Sequence, residues 1–189
     1  MIATLLFNTI VMPKQLTIAL VVVILAGAVW GVLKLSKEAG PVGEDRSVFY
    51  EAQNQQHINV GEEHPPYNSN PPSGGWHYEL TSRKGFHTEP VPDEYIVHNL
   101  EHGDVWIAYH PRISDEAKET LRKFAFSKII ITPRESNDTD IALVAWERVD
   151  AFNLEGGPVP EDRIHDFIKR YRNRGPEKIP AGMKEATFN

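Results

Sequence analysis

The strongest constraint on this chain is an apolar stretch without a charged residue, residues 16–33, which lies between Lys14 and Lys34. At about 1.5 Å of rise per residue, a helix of this length reaches roughly 27 Å and nearly spans a hydrocarbon core of about 30 Å. Trp30 lies near its C-terminal end, where amphipathic rings favour the membrane interface. A helix that is apolar all round is difficult to bury in a small soluble domain. The sequence therefore predicts a single-pass membrane helix.

The rival interpretation of this stretch is a cleaved signal peptide. Its apolar region is usually about 7–15 residues long and is followed by a small-x-small cleavage site. Here the stretch is longer, and no convincing Ala-x-Ala pattern follows it, so an uncleaved anchor is favoured. Residues 1–11 are also apolar and precede Met12, which leaves both Met1 and Met12 open as starting residues.

The charges beside the anchor bear on its orientation. Lys14 precedes the apolar stretch, whereas Lys34, Lys37 and Arg46 follow it, and the positive-inside rule then favours a cytoplasmic C-terminal side. A lone anchor with a very short leader, however, commonly leaves its main domain outside. We expect an extracytoplasmic domain, against the charge count. The predicted segments are a membrane anchor over 1–35, a linker over 36–46, a soluble domain over 47–175 and a C-terminal tail over 176–189.

Composition excludes several classes of function. The net charge is −6 and no long basic run occurs, whereas nucleic-acid binding normally needs a basic face. Four basic residues fall within 169–174, where a solvated helix face explains them. The chain has no cysteine, which excludes disulfides, zinc ribbons, iron–sulfur clusters and cysteine nucleophiles. The predicted partners are therefore the membrane and an unknown protein, without nucleic acid.

The order of predicted elements indicates one α+β domain. Residues 62–75 read EEHPPYNSNPPSGG, and four prolines with two glycines forbid a helix or a central strand there. Such a long loop is either functional or a plain covering segment. Strands are predicted over 76–80, 104–109, 128–132 and 140–149, and helices over 91–102, 115–127 and 161–172. Because these elements are mixed without strict alternation, we expect a mostly antiparallel sheet with two or three helices.

Two of the predicted helices have a clear core face. Ser114 is suited to cap the helix over 115–127. The residues spaced to face the core are Ala117, Leu121, Phe124 and Ala125 in that helix, and Ile164, Phe167, Ile168 and Tyr171 in the last one.

Histidines supply the sharpest functional signal. The chain has eight, and seven fall between residues 57 and 110. His98 and His102 are four residues apart, which places both on one face of a helix with Glu101 beside them. Two such imidazoles can bind one metal ion. The order H-x-x-E-H also matches the inverted zinc-protease motif, in which the glutamate activates water, so a metal-dependent hydrolase with Glu101 as general base is one alternative.

Two further histidines flank the proline-rich loop. His57 precedes the loop and His77 follows it, so the loop can fold both toward His98 and His102. Three or four imidazoles suit copper or zinc, and the softness of the ligands does not discriminate between these two metals. Met183 is a further candidate, as a thioether ligand for cuprous ion. The sequence thus predicts a transition-metal site with His57, His77, His98 and His102 as ligands.

Three blocks of the sequence resemble the hallmarks of a known family. These blocks are residues 67–72 (YNSNPP), 75–77 (GWH) and 98–103 (HNLEHG). They are similar to domain of unknown function 3105 (DUF3105), a mostly bacterial family whose members often carry one N-terminal membrane helix. The resemblance covers roughly residues 45–175. It departs from the family where Gly74 and Trp76 replace a serine and a proline, which predicts a more flexible loop.

The resemblance supports the domain and its site but assigns no reaction. It implies that His57, His77, His98, Glu101 and His102 belong together, with Tyr67 as a supporting residue. Three functions remain open: a metal-binding domain, a metal-dependent hydrolase, and a structural or protein-interaction module of the cell envelope without a metal.

Overall fold

A computed structural model of the chain describes residues 13–38, 40–179 and 186–188. The predicted candidate ligand Met183 and the alternative starting residues lie outside these ranges. The chain divides into two compact units, residues 1–40 and 41–189. In the first, the described residues form helix α1 (Lys14–Glu38). Its segment Lys14–Gly31 is long and apolar enough to cross a membrane.

The second unit holds the remaining elements and is α+β. They are β1 (Val48–Phe49), β2 (His57–Ile58), β3 (His77–Tyr78), β4 (Thr81–Ser82), β5 (Gly85–Phe86), α2 (Asp93–Glu101), β6 (Val105–Tyr109), α3 (Asp115–Arg122), β7 (Ile129–Pro133), β8 (Ile141–Ala145), β9 (Arg148–Phe152), α4 (Glu161–Tyr171) and β10 (Thr187–Phe188). Together with α1, the described residues contain four helices.

The main sheet is mostly antiparallel, as predicted. Its six strands have the order β1-β9-β8-β6-β7-β5. The pairs β1–β9, β8–β9 and β6–β8 are antiparallel, and the pairs β6–β7 and β5–β7 are parallel. Two short parallel pairs, β2–β3 and β4–β10, lie outside this sheet. The pair β2–β3 matters most here because it holds two histidines.

Helices pack on both faces of the main sheet. Side chains alternate between the faces along a strand, so Ile107 of β6 lies in the core shared with α3 and α4, whereas Trp106 lies in the core shared with α2. Helix α2 contributes Ile96 and Leu100 to that second core. It also contacts β3 and β4. The helix with the H-x-x-E-H motif is thus fixed between the sheet and the strand that carries His77.

The prediction of a single strand over 140–149 is wrong, because these residues belong to a hairpin of β8 and β9. Ala145 pairs with Arg148, so Trp146 and Glu147 form the turn. Glu147 has φ of 61°, and its backbone N–H donates to the Ser73 carbonyl at 2.7 Å. The turn lacks the Asn-Gly or Asp-Gly pair that signals a hairpin. The hydrophobic pattern alone therefore predicts one continuous strand.

Helix α3 ends five residues earlier than predicted. Ser114 caps it as expected, since its hydroxyl accepts from Ala117 N–H at 3.2 Å. After Arg122 the backbone turns more tightly: Phe124 N–H donates to the Leu121 carbonyl, three residues back, at 2.9 Å. Phe124 stays buried, but Ala125 is exposed and does not join the predicted apolar face.

Candidate metal centre

Helix α2 carries the central part of the site. Asp93 and Glu94 lie in its first turn, where negative charge is favourable. His98 and Glu101 lie three residues apart in the helix, and His102 follows directly at its C-terminal cap. The rings of His98 and His102 are 4.4 Å apart between centroids, in keeping with the spacing of four residues along a helix.

Asn99, which lies inside the motif, fixes the end of α2 to β4. Its side-chain oxygen accepts from Ser82 N–H at 2.7 Å, and its amide donates to the Ser82 carbonyl at 3.1 Å and to Asp104 Oδ2 at 3.0 Å. The side chain is fully buried. A lone asparagine in a helix carries no sequence signal of its own, so this role of Asn99 is not predictable from the sequence.

The pair β2–β3 brings the two flanking histidines to α2. His57 and His77 are register partners in this parallel pair. Their ring centroids are 4.8 Å apart, and they lie 4.8 Å and 4.9 Å from that of His98. His77 is fully buried, whereas His57 is exposed. The long loop therefore returns His77 beside His57, and three imidazoles meet over one face of α2.

Tyr67 and Gly75 shape the entry into β3. Gly75 has φ of 127°, and a Cβ at this position would lie 3.2 Å from two Tyr67 ring carbons, so the ring occupies the space that a side chain would need. The Tyr67 hydroxyl donates to the Trp76 carbonyl at 2.6 Å. Burial raises the pKa of Tyr67, with a further increase from Glu94 and Asp93, so the hydroxyl stays protonated and able to donate. Tyr67 thus supports the backbone just before His77.

The two nitrogens of His77 have different surroundings. Nδ1 lies 2.7 Å from the Gly75 carbonyl; a carbonyl only accepts, so Nδ1 must carry hydrogen. In the neutral ring, Nε2 then presents a lone pair, and this atom is 3.1 Å from Glu101 Oε2. Nε2 makes no well-aligned hydrogen bond among the residues that the structure describes, and its contact with Glu101 is an ion pair only if this nitrogen is protonated. A lone pair facing a carboxylate is repulsive unless a proton or a metal ion lies between them.

The other buried groups of the site favour a cation too. Burial would raise the pKa of Glu101, but a hydrogen bond with the His77 side chain, and then the charges of His77, His98 and His57, hold it below its ordinary value. Burial also lowers the pKa of His98 to about 4, aided by His102, His77 and His57 and opposed by Glu101. At neutral pH the site therefore offers a carboxylate and a neutral imidazole, both of which are metal-ligand forms.

These side chains form two groups with the spacing of metal ligands. One ligand atom from each of His57, His77, His98 and Glu101 lies within 4.8 Å of all the others, and the same holds for His98, His102 and Glu177. The predicted ligands therefore lie together, but His102 belongs to the second group. The two groups share His98.

Glu177 joins the site from the segment predicted as a tail. Its Oε2 lies 3.2 Å from His102 Nε2, and its backbone N–H donates to the Glu101 carbonyl at 3.1 Å. This approach needs Gly103, whose φ is 77° and where a Cβ would lie 2.9 Å from Asn173 Cα. No periodicity links residue 177 to residue 102, so the sequence carries no signal for this contact.

The remaining four histidines have other surroundings. His64 contacts the rings of Tyr67 and Trp76, and its Nε2 is 3.4 Å from Glu94 Oε1. Each of the other three has its own local contact: His87 Nε2 with the Arg83 carbonyl, His110 Nδ1 with Arg112 N–H, and the His165 ring with Phe124. They are not members of either ligand group.

The fold and site define an α+β domain with a histidine-rich candidate metal centre. The family model described as a protein of unknown function, DUF3105, matches residues 57–183, about two-thirds of the chain, so the chain belongs to the DUF3105 family. This agrees with the resemblance found in the sequence blocks. No curated protein and no solved structure matches the chain.

Proposed function

We propose that this protein is a membrane-anchored extracytoplasmic domain that binds one copper or zinc ion through His57, His77, His98 and Glu101. The observation that carries the proposal is the buried Nε2 of His77, which faces Glu101 while Nδ1 donates to a backbone carbonyl. A carbonyl that fixes the tautomer and orientation of a histidine is a common outer partner of metal-ligating imidazoles.

The donor set limits the choice of metal. Three imidazoles and one carboxylate suit zinc or copper better than calcium or magnesium, which prefer oxygen ligands. Zinc–nitrogen distances of about 2.0–2.1 Å place tetrahedral ligand atoms roughly 3.4 Å apart. The four ligand atoms here lie within 4.8 Å of one another, so a small closure of the rings would complete the shell. His57 is the exposed ligand and forms the open side of the site.

Glu101 is better suited to hold a metal than to activate water. It is only 5% exposed and lies 3.1 Å from His77 Nε2. A general base needs space for the substrate water beside its carboxylate, and this carboxylate already faces an imidazole. The geometry therefore argues against the hydrolase alternative and favours a binding function. An envelope module without a metal is the outcome if the site binds no ion.

The anchor part of the proposal is supported by α1 alone. Its apolar segment is long enough to cross a membrane, and Lys14 lies at its start. An extracytoplasmic position would place the site where metal ions reach it without entering the cytoplasm.

Competition for zinc tests the proposed site. The full chain, without an added histidine tag and in detergent, is titrated with one equivalent of Zn²⁺ against a chromophoric chelator. Because His57 is exposed, His57→Ala should keep the fold while weakening zinc binding at least tenfold. His165→Ala removes another exposed histidine, outside both groups, and should leave affinity unchanged. A wild-type chain that does not compete for zinc or copper would overturn the proposal.

A further inference from the structure

We infer that the site holds a second metal ion, bound by His98, His102 and Glu177, so that His98 bridges two ions. This inference rests on the proposed function, because the first ion occupies the group that contains His77. The one- and two-metal alternatives differ in stoichiometry and in magnetic behaviour, so they can be separated.

The position of His98 is the first reason. Its ring is the central one in the cluster, 4.8–4.9 Å from the His57 and His77 rings on one side and 4.4 Å from the His102 ring. It is the residue that both ligand groups share. An imidazole has two nitrogens, so one ring can serve two ions if each group takes one nitrogen.

The second reason is an unpartnered buried atom. His98 is only 6% exposed, and its Nδ1 has no hydrogen-bond partner within the described part of the chain. Leaving a buried polar atom unpaired is unfavourable. A metal ion on this nitrogen would satisfy it, and binding of a second ion at the other nitrogen would release the one remaining N–H proton of the ring to solvent.

The third reason is that backbone hydrogen bonds position Glu177 beside His102. Its backbone N–H is bound to the Glu101 carbonyl, and the next residue, Lys178, donates through Nζ to the carbonyls of Asn173 and Gly175. These bonds place the carboxylate 3.2 Å from His102 Nε2. The Glu177 side chain is 51% exposed, so the second ion would face solvent and exchange faster than the first.

Besides Lys178, the ammonium group of Lys128 lies close to the second position. Lys128 Nζ donates to the His102 carbonyl at 2.8 Å. The same ammonium lies 3.7 Å from Asp104 Oδ1, and Lys84 Nζ lies 3.4 Å from Asp104 Oδ2, so the two ammonium groups share one carboxylate. The positive charge near the second position is therefore partly offset by Asp104.

Copper titration of the full chain in detergent tests the shared ligand. Wild-type protein should retain two equivalents of Cu²⁺, and the second equivalent should reduce the paramagnetic resonance intensity, because an imidazolate bridge couples the two unpaired electrons. Glu177→Gln should retain one equivalent with a full single-copper spectrum. Glu89→Gln, which changes an exposed glutamate outside both groups, should behave as wild type.

The outcomes separate this inference from the proposed function. Saturation of the wild-type chain at one equivalent would overturn the second position and keep the first. Two equivalents with additive spectra would overturn the bridge, and two coupled equivalents in Glu177→Gln would overturn the assignment of Glu177 as a ligand of the second ion. A wild-type chain that retains no copper would overturn the proposed function itself.

Discussion

His77 Nε2 lies 3.1 Å from Glu101 Oε2, and both side chains are buried. Because His77 Nδ1 already donates to the Gly75 carbonyl, the neutral ring turns an acceptor toward a carboxylate. This contact is either a charged pair that stabilises the fold or an arrangement of two ligands for a cation. The two interpretations predict different behaviour when the carboxylate is removed.

Glu101→Gln distinguishes them. At pH 8, where an ordinary histidine is neutral, the new amide can donate to His77 Nε2, so we expect the metal-free variant to be at least as stable as wild type in denaturant unfolding. Zinc affinity should fall by more than the about 10–100-fold that follows loss of an outer-shell partner, because an anionic ligand is lost. A loss of about 3–5 kcal/mol in the metal-free protein, typical of breaking a buried ion pair, would contradict the metal interpretation. Glu89→Gln is the control.

The stability of the metal-free protein should depend on pH through His98. Its folded pKa of about 4 lies below the ordinary value of 6.5, so the unfolded chain binds more protons between these values. The contribution of His98 to the free energy of unfolding is therefore fully present above pH 6.5. It is lost as the pH drops toward 4, and the loss is on the order of 2 kcal/mol.

Unfolding midpoints measured at pH 7.5 and pH 4.5 test this dependence. His98→Gln should lose much of the difference between the two pH values, whereas His165→Gln, at an exposed position, should keep it. Equal pH dependence in wild type and His98→Gln would show that His98 is not buried in its neutral form.

Gly75 should tolerate a side chain poorly. Its φ is 127°, and a Cβ would lie 3.2 Å from the Tyr67 ring, so Gly75→Ala combines backbone strain with a close contact. We expect about 2–4 kcal/mol of destabilisation and weaker zinc binding, because the residue positions His77. Gly85 has φ of 110° and nothing within 4 Å of its Cβ position. Gly85→Ala should therefore destabilise the fold less than Gly75→Ala and leave zinc affinity unchanged. If both variants lost the same stability and zinc affinity, the Tyr67–Gly75 contact would have no role in the site.

Membrane orientation can be tested with a reporter that is active only outside the cytoplasm. Alkaline phosphatase fused after the last residue should be active in a bacterial host and should sediment with membranes. A chain without residues 13–38 should leave the reporter soluble and inactive. An inactive reporter on the full-length chain would instead follow the count of basic residues, Lys14 before the helix and Lys34, Lys37 and Arg46 after it.

The sequence predicts those features of this molecule that depend on residues close together in the chain. The spacing of His98 and His102 predicted two rings on one side of a helix, and Ser114 predicted the start of α3. The register that sets His57 beside His77 was beyond such reasoning, because β2 and β3 have two residues each and show no alternation. Glu177 was missed because its approach depends on tertiary packing at Gly103.

X-ray absorption at the zinc edge is the most direct test of the central claim. The full chain, loaded with one equivalent of Zn²⁺, should show about four light-atom ligands at about 2.0–2.1 Å. Imidazole outer-shell scattering should correspond to three histidines and fall by one in His57→Ala. A shell of oxygen ligands without imidazole scattering would contradict the account.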